Sequence, residues 1–181
     1  MPNPHAVTNA PSAWVVDHAD LVAVGAARGA GILDLACGGG RHGRLFQAQG
    51  HRVCYLDRDL SGVEDLRGAA GSELIQADLE AGGPFPLVGR SFGAVIVVNY
   101  LWRAILPDIL ACVAPGGVLL YETFMEGNEA FGRPRNPDFL LRAGELRDLA
   151  EAHGFTVVDF HEGRVEDPKP AMKQHLAARQ G

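Results

Sequence analysis

The chain has 181 residues, enough for one domain with a core of its own. Its 47% hydrophobic and 21% charged residues exclude disorder over most of that length. A formal net charge of −6 argues against a partner held mainly by a basic surface, so neither bulk nucleic acid nor an anionic membrane is favoured.

The three cysteines, Cys37, Cys54 and Cys112, form no C-x-x-C pair and have no histidine pair beside them, so neither a disulfide framework nor a metal site is expected. Buried thiols in a reducing compartment fit better. The N-terminus lacks a basic, then apolar, leader, and no apolar run approaches the ~20 residues of a membrane span. The expectation is a soluble, cytoplasmic protein.

In chain order, residues 1–11 read as a loose proline-containing arm, and residues 12–181 as a single domain. Ser12 is placed to cap a helix over 12–24, with Trp14, Val15, Leu21 and Val24 as its apolar positions. Residues 31–36 read as a first strand. Gly38-Gly39-Gly40 turns into a helix through Leu45 and Phe46, which Gly50 ends. A second strand over 51–56, a helix over 59–70 and a short strand over 73–77 follow. Residues 92–98 hold the β-branched run of a central parallel strand, covered on both faces. A helix over 100–114 then stops at Pro115-Gly116-Gly117, before a strand over 118–122. Residues 123–143 show no clear period. A helix over 145–153, a strand over 155–160 and a weaker edge strand over 171–178 complete the chain. Strands alternating with helices imply βαβ units and a mostly parallel sheet.

Gly38-Gly39-Gly40-Arg41-His42-Gly43 spells G-x-G-x-x-G between a strand and a helix, and Asp57 ends the next strand 17 positions after Gly40. That spacing alone fits a dinucleotide site. The charge around the turn decides otherwise. A pyrophosphate would meet Asp34 four positions before the turn, and Asp57, Asp59, Asp78 and Glu80 at or just past other strand ends. Acids at one mouth suit a ligand with cationic groups and ribose hydroxyls.

Asp34-Leu35-Ala36-Cys37-Gly38-Gly39-Gly40 resembles the first motif of the class I S-adenosylmethionine-dependent methyltransferases, with Ala36 in place of the motif's first glycine. Tyr55-Leu56-Asp57-Arg58-Asp59 resembles the second motif, Gln76-Ala77-Asp78-Leu79 the third, and Val97-Val98-Asn99-Tyr100 falls where the fourth sits. The resemblance implies a three-layer Rossmann-like α/β sandwich, with a mostly parallel seven-stranded sheet and a final antiparallel edge strand. It also implies S-adenosylmethionine as the methyl donor, leaving as S-adenosylhomocysteine. Its donor-side residues would be Asp34, Ala36, Cys37, Gly38, Gly40, Asp57, Arg58, Asp78, Leu79 and Asn99, with Asp57 on the ribose and Asp78 on the adenine amino group. Asp34 has the alternative of capping the following helix.

Methyl transfer depends mostly on alignment, and a base is needed only if the acceptor must first lose a proton. Asn99 and Tyr100, at the end of the central strand, are candidates beside the methyl group; Tyr100 and Trp102 have helix packing as their alternative. The family's amino methyltransferases often carry prolines after the acidic or amide residue here, and this chain has none. Glu122 is a candidate base, or else an ion-pair partner. The 21 residues of 123–143 exceed an ordinary connection and read as a lid over a small-molecule acceptor. Asn128, Phe131, Gly132, Arg133 and Asn136 are its candidate contacts. With Arg103 and Arg142, the arginines suggest an anionic acceptor. His42 reads as a capping or surface residue, with the donor's carboxylate as the alternative. A nicotinamide-dependent oxidoreductase, or a donor-binding subunit that activates a partner, are the competing readings.

Overall fold

The computed structural model describes residues 10–27 and 31–181, so most of the expected N-terminal arm lies outside the described residues. Seven strands form one sheet: β1 (Ile32–Leu35), β2 (Val53–Asp57), β3 (Ser72–Gln76), β4 (Phe92–Val98), β5 (Val113–Phe124), β6 (Phe155–Val165) and β7 (Ala171–Gln180). Their order is β3-β2-β1-β4-β5-β7-β6. The first five strands pair in parallel, while β7 is antiparallel to both β5 and β6. The last strand is therefore antiparallel, as expected, but it is not the edge strand: it fills the gap between β5 and β6, and β6 lies outermost. The burial pattern explains the placement. Residues 173–178 are all buried, whereas β6 alternates largely between exposed and half-buried positions.

Helices cover both faces. One face packs α1 (Ala13–Asp17), α2 (Ala19–Ala26) and α3 (Arg41–Gln47) over Ile32, Ala94, Ile96, Val118 and Leu120. The other packs α4 (Leu106–Ala111) and α5 (Glu145–Ala152) over Leu33, Val95, Val97, Leu119 and Tyr121. Both alternating sets of β4 are buried, as its unbroken apolar run requires. Among the described residues, no helix is long and apolar enough to cross a membrane.

Several boundaries differ from expectation. The first helix divides at His18, which takes a non-helical conformation and whose ring nitrogen Nδ1 lies 2.9 Å from the Trp14 carbonyl. Val24 is exposed, and Val22 and Ala26 are buried in its stead. The stretch 59–70 holds only a 3-10 turn at Ser61–Leu66, because Arg67 is extended and Gly68 left-handed. Residues 99–102 are irregular. Asn99 has φ 58° and Trp102 is extended, so helical structure starts only at Arg103. Pro115-Gly116-Gly117 is a turn carried inside β5 as a register shift, with Phe92 opposite Val113 and Ala94 opposite Val118.

Candidate functional site

The sheet order reverses at β1, whose neighbours β2 and β4 lead away in opposite directions. In open α/β sheets, ligands bind at the carboxyl ends of the strands beside such a switch point. Both non-glycine residues with positive φ among the described residues stand there: Ala36 (φ 54°) just past β1 and Asn99 (φ 58°) just past β4. Paired backbone strain of this kind persists where the surroundings enforce it, and it clusters at functional sites.

Between them runs the glycine turn. A side chain at Gly38 or Gly39 would meet no protein atom within 4 Å, so this part of the turn faces open space. Gly40 and Gly43 lie against Tyr55, and a Cβ at either would clash, with Tyr55 at 2.3 Å from the one at Gly43. Gly62 packs on the back of the turn, where a Cβ would stand 2.9 Å from the Gly38 carbonyl oxygen. Arg44 ties the assembly together. It donates to the Gly39 and Gly62 carbonyls and forms a two-point bond with Asp65 at 2.6 and 2.8 Å. Sequence reasoning missed Gly62, Arg44 and Asp65; Arg44 and Asp65 are 21 residues apart and share no motif.

The acids divide into two kinds. Asp57 is half-buried at the mouth, where Oδ2 accepts from the Gly38 N–H (2.8 Å) and Oδ1 from the Asp59 N–H (3.0 Å). It bridges the first and second motifs. Arg58 and Asp78 are exposed beside it, and Leu79 is half-buried. Asp34 is different: it is 2% exposed, and its Oδ2 accepts from the Gly43 N–H in the first turn of α3 (2.8 Å). Burial pushes its carboxyl up to about 7, against the Gly43 hydrogen bond and the charge of Arg41. Asp34 is thus the helix cap of its alternative reading. Cys37 is buried in the same turn, and burial with Asp34 nearby raises its thiol far above the ordinary range.

On the other side of the cleft lies a buried polar cluster. Lys173, on β7, is 6% exposed, and its ammonium donates to Glu122 Oε1 (2.5 Å) and Asn99 Oδ1 (2.8 Å), above the Phe124 ring. Glu122 is therefore an ion-pair partner and not a free base. Burial alone would raise its carboxyl, but the charge and hydrogen bond of Lys173 hold it below the ordinary range. Because Lys173 can only donate, Asn99 must turn its oxygen inward, which leaves its amide hydrogens for the mouth. Lys173 was missed because its partners lie 51 and 74 residues away.

His42 is 4% exposed, which corrects the surface reading. Its Nε2 accepts from the Ser12 N–H (3.2 Å), and burial lowers its imidazole to about 4. Ser12 caps α1 as expected, and Trp14 Nε1 donates to the Leu176 carbonyl. The segment around Ser12 thus spans from α3 to β7.

The long connection after β5 leaves and returns at one point. The Glu126 N–H donates to the Leu141 carbonyl, and the Leu141 N–H to the Phe124 carbonyl. Two residues read as acceptor contacts hold this loop in place instead. The Asn128 Nδ2 donates to the Pro134 carbonyl and its Oδ1 accepts from the Met172 N–H. Arg103 makes a two-point bond to Glu145 (2.7 and 2.8 Å) and donates to the Asp138 and Leu140 carbonyls. Four of its five N–H donors and its charge are committed within the protein, which argues against a role as an anion site. Asn136 caps the Pro137–Phe139 turn. Phe131 is exposed under the Arg164 guanidinium, and Gly132 follows it. Arg133 is exposed and makes no ion pair or hydrogen bond with a described residue. Tyr100 is half-buried, and its hydroxyl is buried with no partner among the described residues. Neither Tyr100 nor Trp102 is helical.

This strand order is a Rossmann-like fold, shared with solved structures described as S-adenosylmethionine-dependent methyltransferases. The chain is similar to TehB from Haemophilus influenzae, with a TM-score of 0.70 at 18% identity over 92% of this chain; it spans only 61% of the TehB chain. It is also similar to the 1,6-didemethyltoxoflavin-N1-methyltransferase of Burkholderia thailandensis, solved with bound 1,6-didemethyltoxoflavin and S-adenosylhomocysteine (TM-score 0.64, 20% identity, 93% of this chain and 78% of the other). The [4+2]-cyclase SpnF shares the fold too, with a TM-score of 0.60 at 17% identity over 89% of this chain and 78% of its own. No protein-family model and no curated protein matches the sequence.

Proposed function

We propose that the chain is an S-adenosylmethionine-dependent methyltransferase acting on a small-molecule acceptor in the cytoplasm. One observation carries this reading: a glycine turn open at Gly38 and Gly39, with a half-buried carboxylate, Asp57, bound to that turn at the end of β2. An open turn admits a ligand against the backbone, and the carboxylate selects hydroxyls or a cation over a phosphate. The residues fit the donor. Asp57 would accept from the ribose hydroxyls, and Asp78 with Leu79 and Arg58 would border the adenine. The Ala36–Gly40 backbone and Asn99 would flank the amino-acid end.

When bound, the donor would supply a methyl group on a sulfonium to the acceptor's lone pair and leave as the thioether S-adenosylhomocysteine. The chain's own contribution is alignment. Asn99, locked by Lys173, and Tyr100 border the acceptor position, and residues 12–181 act as one unit around it. The three buried cysteines, all free, support a reducing compartment.

Thermal denaturation with S-adenosylhomocysteine tests the donor. At 100 times its Kd, a ligand adds about 2.7 kcal/mol of stability. Stabilisation by this nucleoside and not by nicotinamide dinucleotides is the expected result, and the opposite pattern overturns the reading. Asp57→Ala is expected to weaken calorimetric binding by roughly 1.5–3 kcal/mol for each charge-assisted bond lost. Since a cyclase shares the fold, transfer of a labelled methyl group from the donor is the deciding assay for the reaction itself.

A further inference from the structure

Two depressions meet at the lid. The inner one, about 190 Å³, is bounded by Asn99, Tyr100, Leu101 and Phe124, with Glu80 on its rim. The outer one is an open basin of about 620 Å³ over Arg133, Arg135 and Asn136. Pro134 and Phe139 line both, so the two adjoin and together reach from the end of β4 to the lid surface. Three features give the pair a direction. The inner end is ringed by aromatic and aliphatic side chains, and its volume is below the roughly 300 Å³ at which drug-sized pockets begin, so it suits one ring or a short chain. The charged side chain lining that end is a carboxylate, Glu80, while the Lys173 ammonium behind Asn99 and Phe124 is balanced by Glu122. The outer end carries two guanidinium groups without a carboxylate partner among the described residues: Arg133 has no bond, and Arg135 donates only to the Gly132 carbonyl. By contrast, the neighbouring Arg103 and Arg164 both hold glutamates.

We propose that the acceptor is an elongated organic anion, with a ring-sized apolar body in the inner cavity and a carboxylate or similar oxyanion on Arg133 and Arg135. The inference deepens the methyl-transfer reading and rests on it for the identity of the inner cavity as the reacting end. Glu80 repels the anionic end from the inner cavity, and the outer arginines draw it out. The opposite orientation would set the anion beside Glu80 and leave the two guanidinium groups against an apolar group. The nucleophilic atom thereby falls beside the Asn99 amide hydrogens and Tyr100.

Calorimetry on the full chain, saturated with S-adenosylhomocysteine, tests this with three probes of one shape: 3-phenylpropionate, 3-phenylpropanol and 3-phenylpropylamine. Saturable binding is expected for the acid, with the alcohol and amine at least tenfold weaker, as befits loss of a charge-assisted contact. Arg133→Gln and Arg135→Gln should each weaken the acid several-fold and the double variant abolish its advantage, while affinity for S-adenosylhomocysteine stays unchanged. Phe139→Ala should weaken all three probes. The proposal is overturned if no probe binds, if the amine or alcohol matches the acid, or if the double arginine variant keeps the preference. The nucleoside titration separates the two readings: if it fails, the donor site is wrong, and if it succeeds while the acid fails, only the acceptor assignment falls.

Discussion

Asp34 and His42 stand on either side of the start of α3, and burial drives their proton affinities in opposite directions, up to about 7 and down to about 4. Between pH ~4 and ~7 folded Asp34 keeps a proton that the unfolded chain has released, so its contribution to stability falls as pH rises. Folded His42 stays neutral where the unfolded chain is protonated, so its contribution rises with pH from ~4 to ~6.5. The two slopes oppose each other across one window. Asp34→Asn should leave a urea-unfolding stability that climbs with pH there, and His42→Gln one that declines; parallel profiles in the two variants would refute both assignments. Ala36 presents a separate residue-scale cost. A left-handed L-residue is strained by roughly 1–2 kcal/mol, and glycine returns about 0.4–1 kcal/mol of that to unfolded-chain entropy. Ala36→Gly should therefore stabilise the protein by about 0.5–1 kcal/mol, measured by denaturant midpoint. The positions of Asp57, Asp78 and Asn99 at strand ends were legible, because motif spacing encodes them. The burial of Asp34 and His42 was not, since it depends on Tyr55 and on Ser12, from elsewhere in the chain.

The lid shows how an aperiodic element keeps a shape. Its two ends are joined by backbone hydrogen bonds, and its interior is held by Asn128 and Arg103, each bonded to backbone carbonyls across the loop. Asn128→Ala would strip partners from the Pro134 carbonyl and the Met172 N–H, at a cost of about 1–3 kcal/mol. Amide exchange should accelerate over residues 126–141 before it does in β4; uniform acceleration would mean that the loop is not a separate unit. Arg103→Lys should loosen the same segment, because an ammonium cannot reproduce the planar fork that reaches Glu145 and two carbonyls. The length of the segment marked it as more than a connection. Which of its polar residues face inward could not be read, because no period relates them. The same limit applies to residues 99–102, where propensity suggested a helix and the left-handed Asn99 prevents one.

At the scale of the whole molecule, the cleft is completed by a strand far from it in sequence. β7 carries Lys173 to Glu122 and Asn99, and Gln174 to the N-terminus of α5 and the Arg142 carbonyl. Lys173→Met leaves a buried carboxylate unpaired and should cost about 3–5 kcal/mol, whereas Glu122→Leu with Lys173→Met should be close to neutral in chemical denaturation. The double variant frees the Asn99 amide to rotate, so any change in its acceptor affinity reports on positioning and not on folding. Equal losses of stability in the single and double variants would contradict the pairing. The alternating pattern of 171–178 identified a strand, but its neighbours are set by which edge best buries Lys173, Gln174 and Leu176. That is a property of the assembled sheet.

The inserted strand has a consequence for synthesis. β6 pairs only with β7, so the segment 155–165 leaves the ribosome with no strand to join, while the backbone N–H and C=O groups along one border of β5 stay unpaired until residues 171–180 emerge. An uncovered strand border is a template for wrong association. Until residues 171–180 are in place, β5 lacks its second partner and β6 its only one.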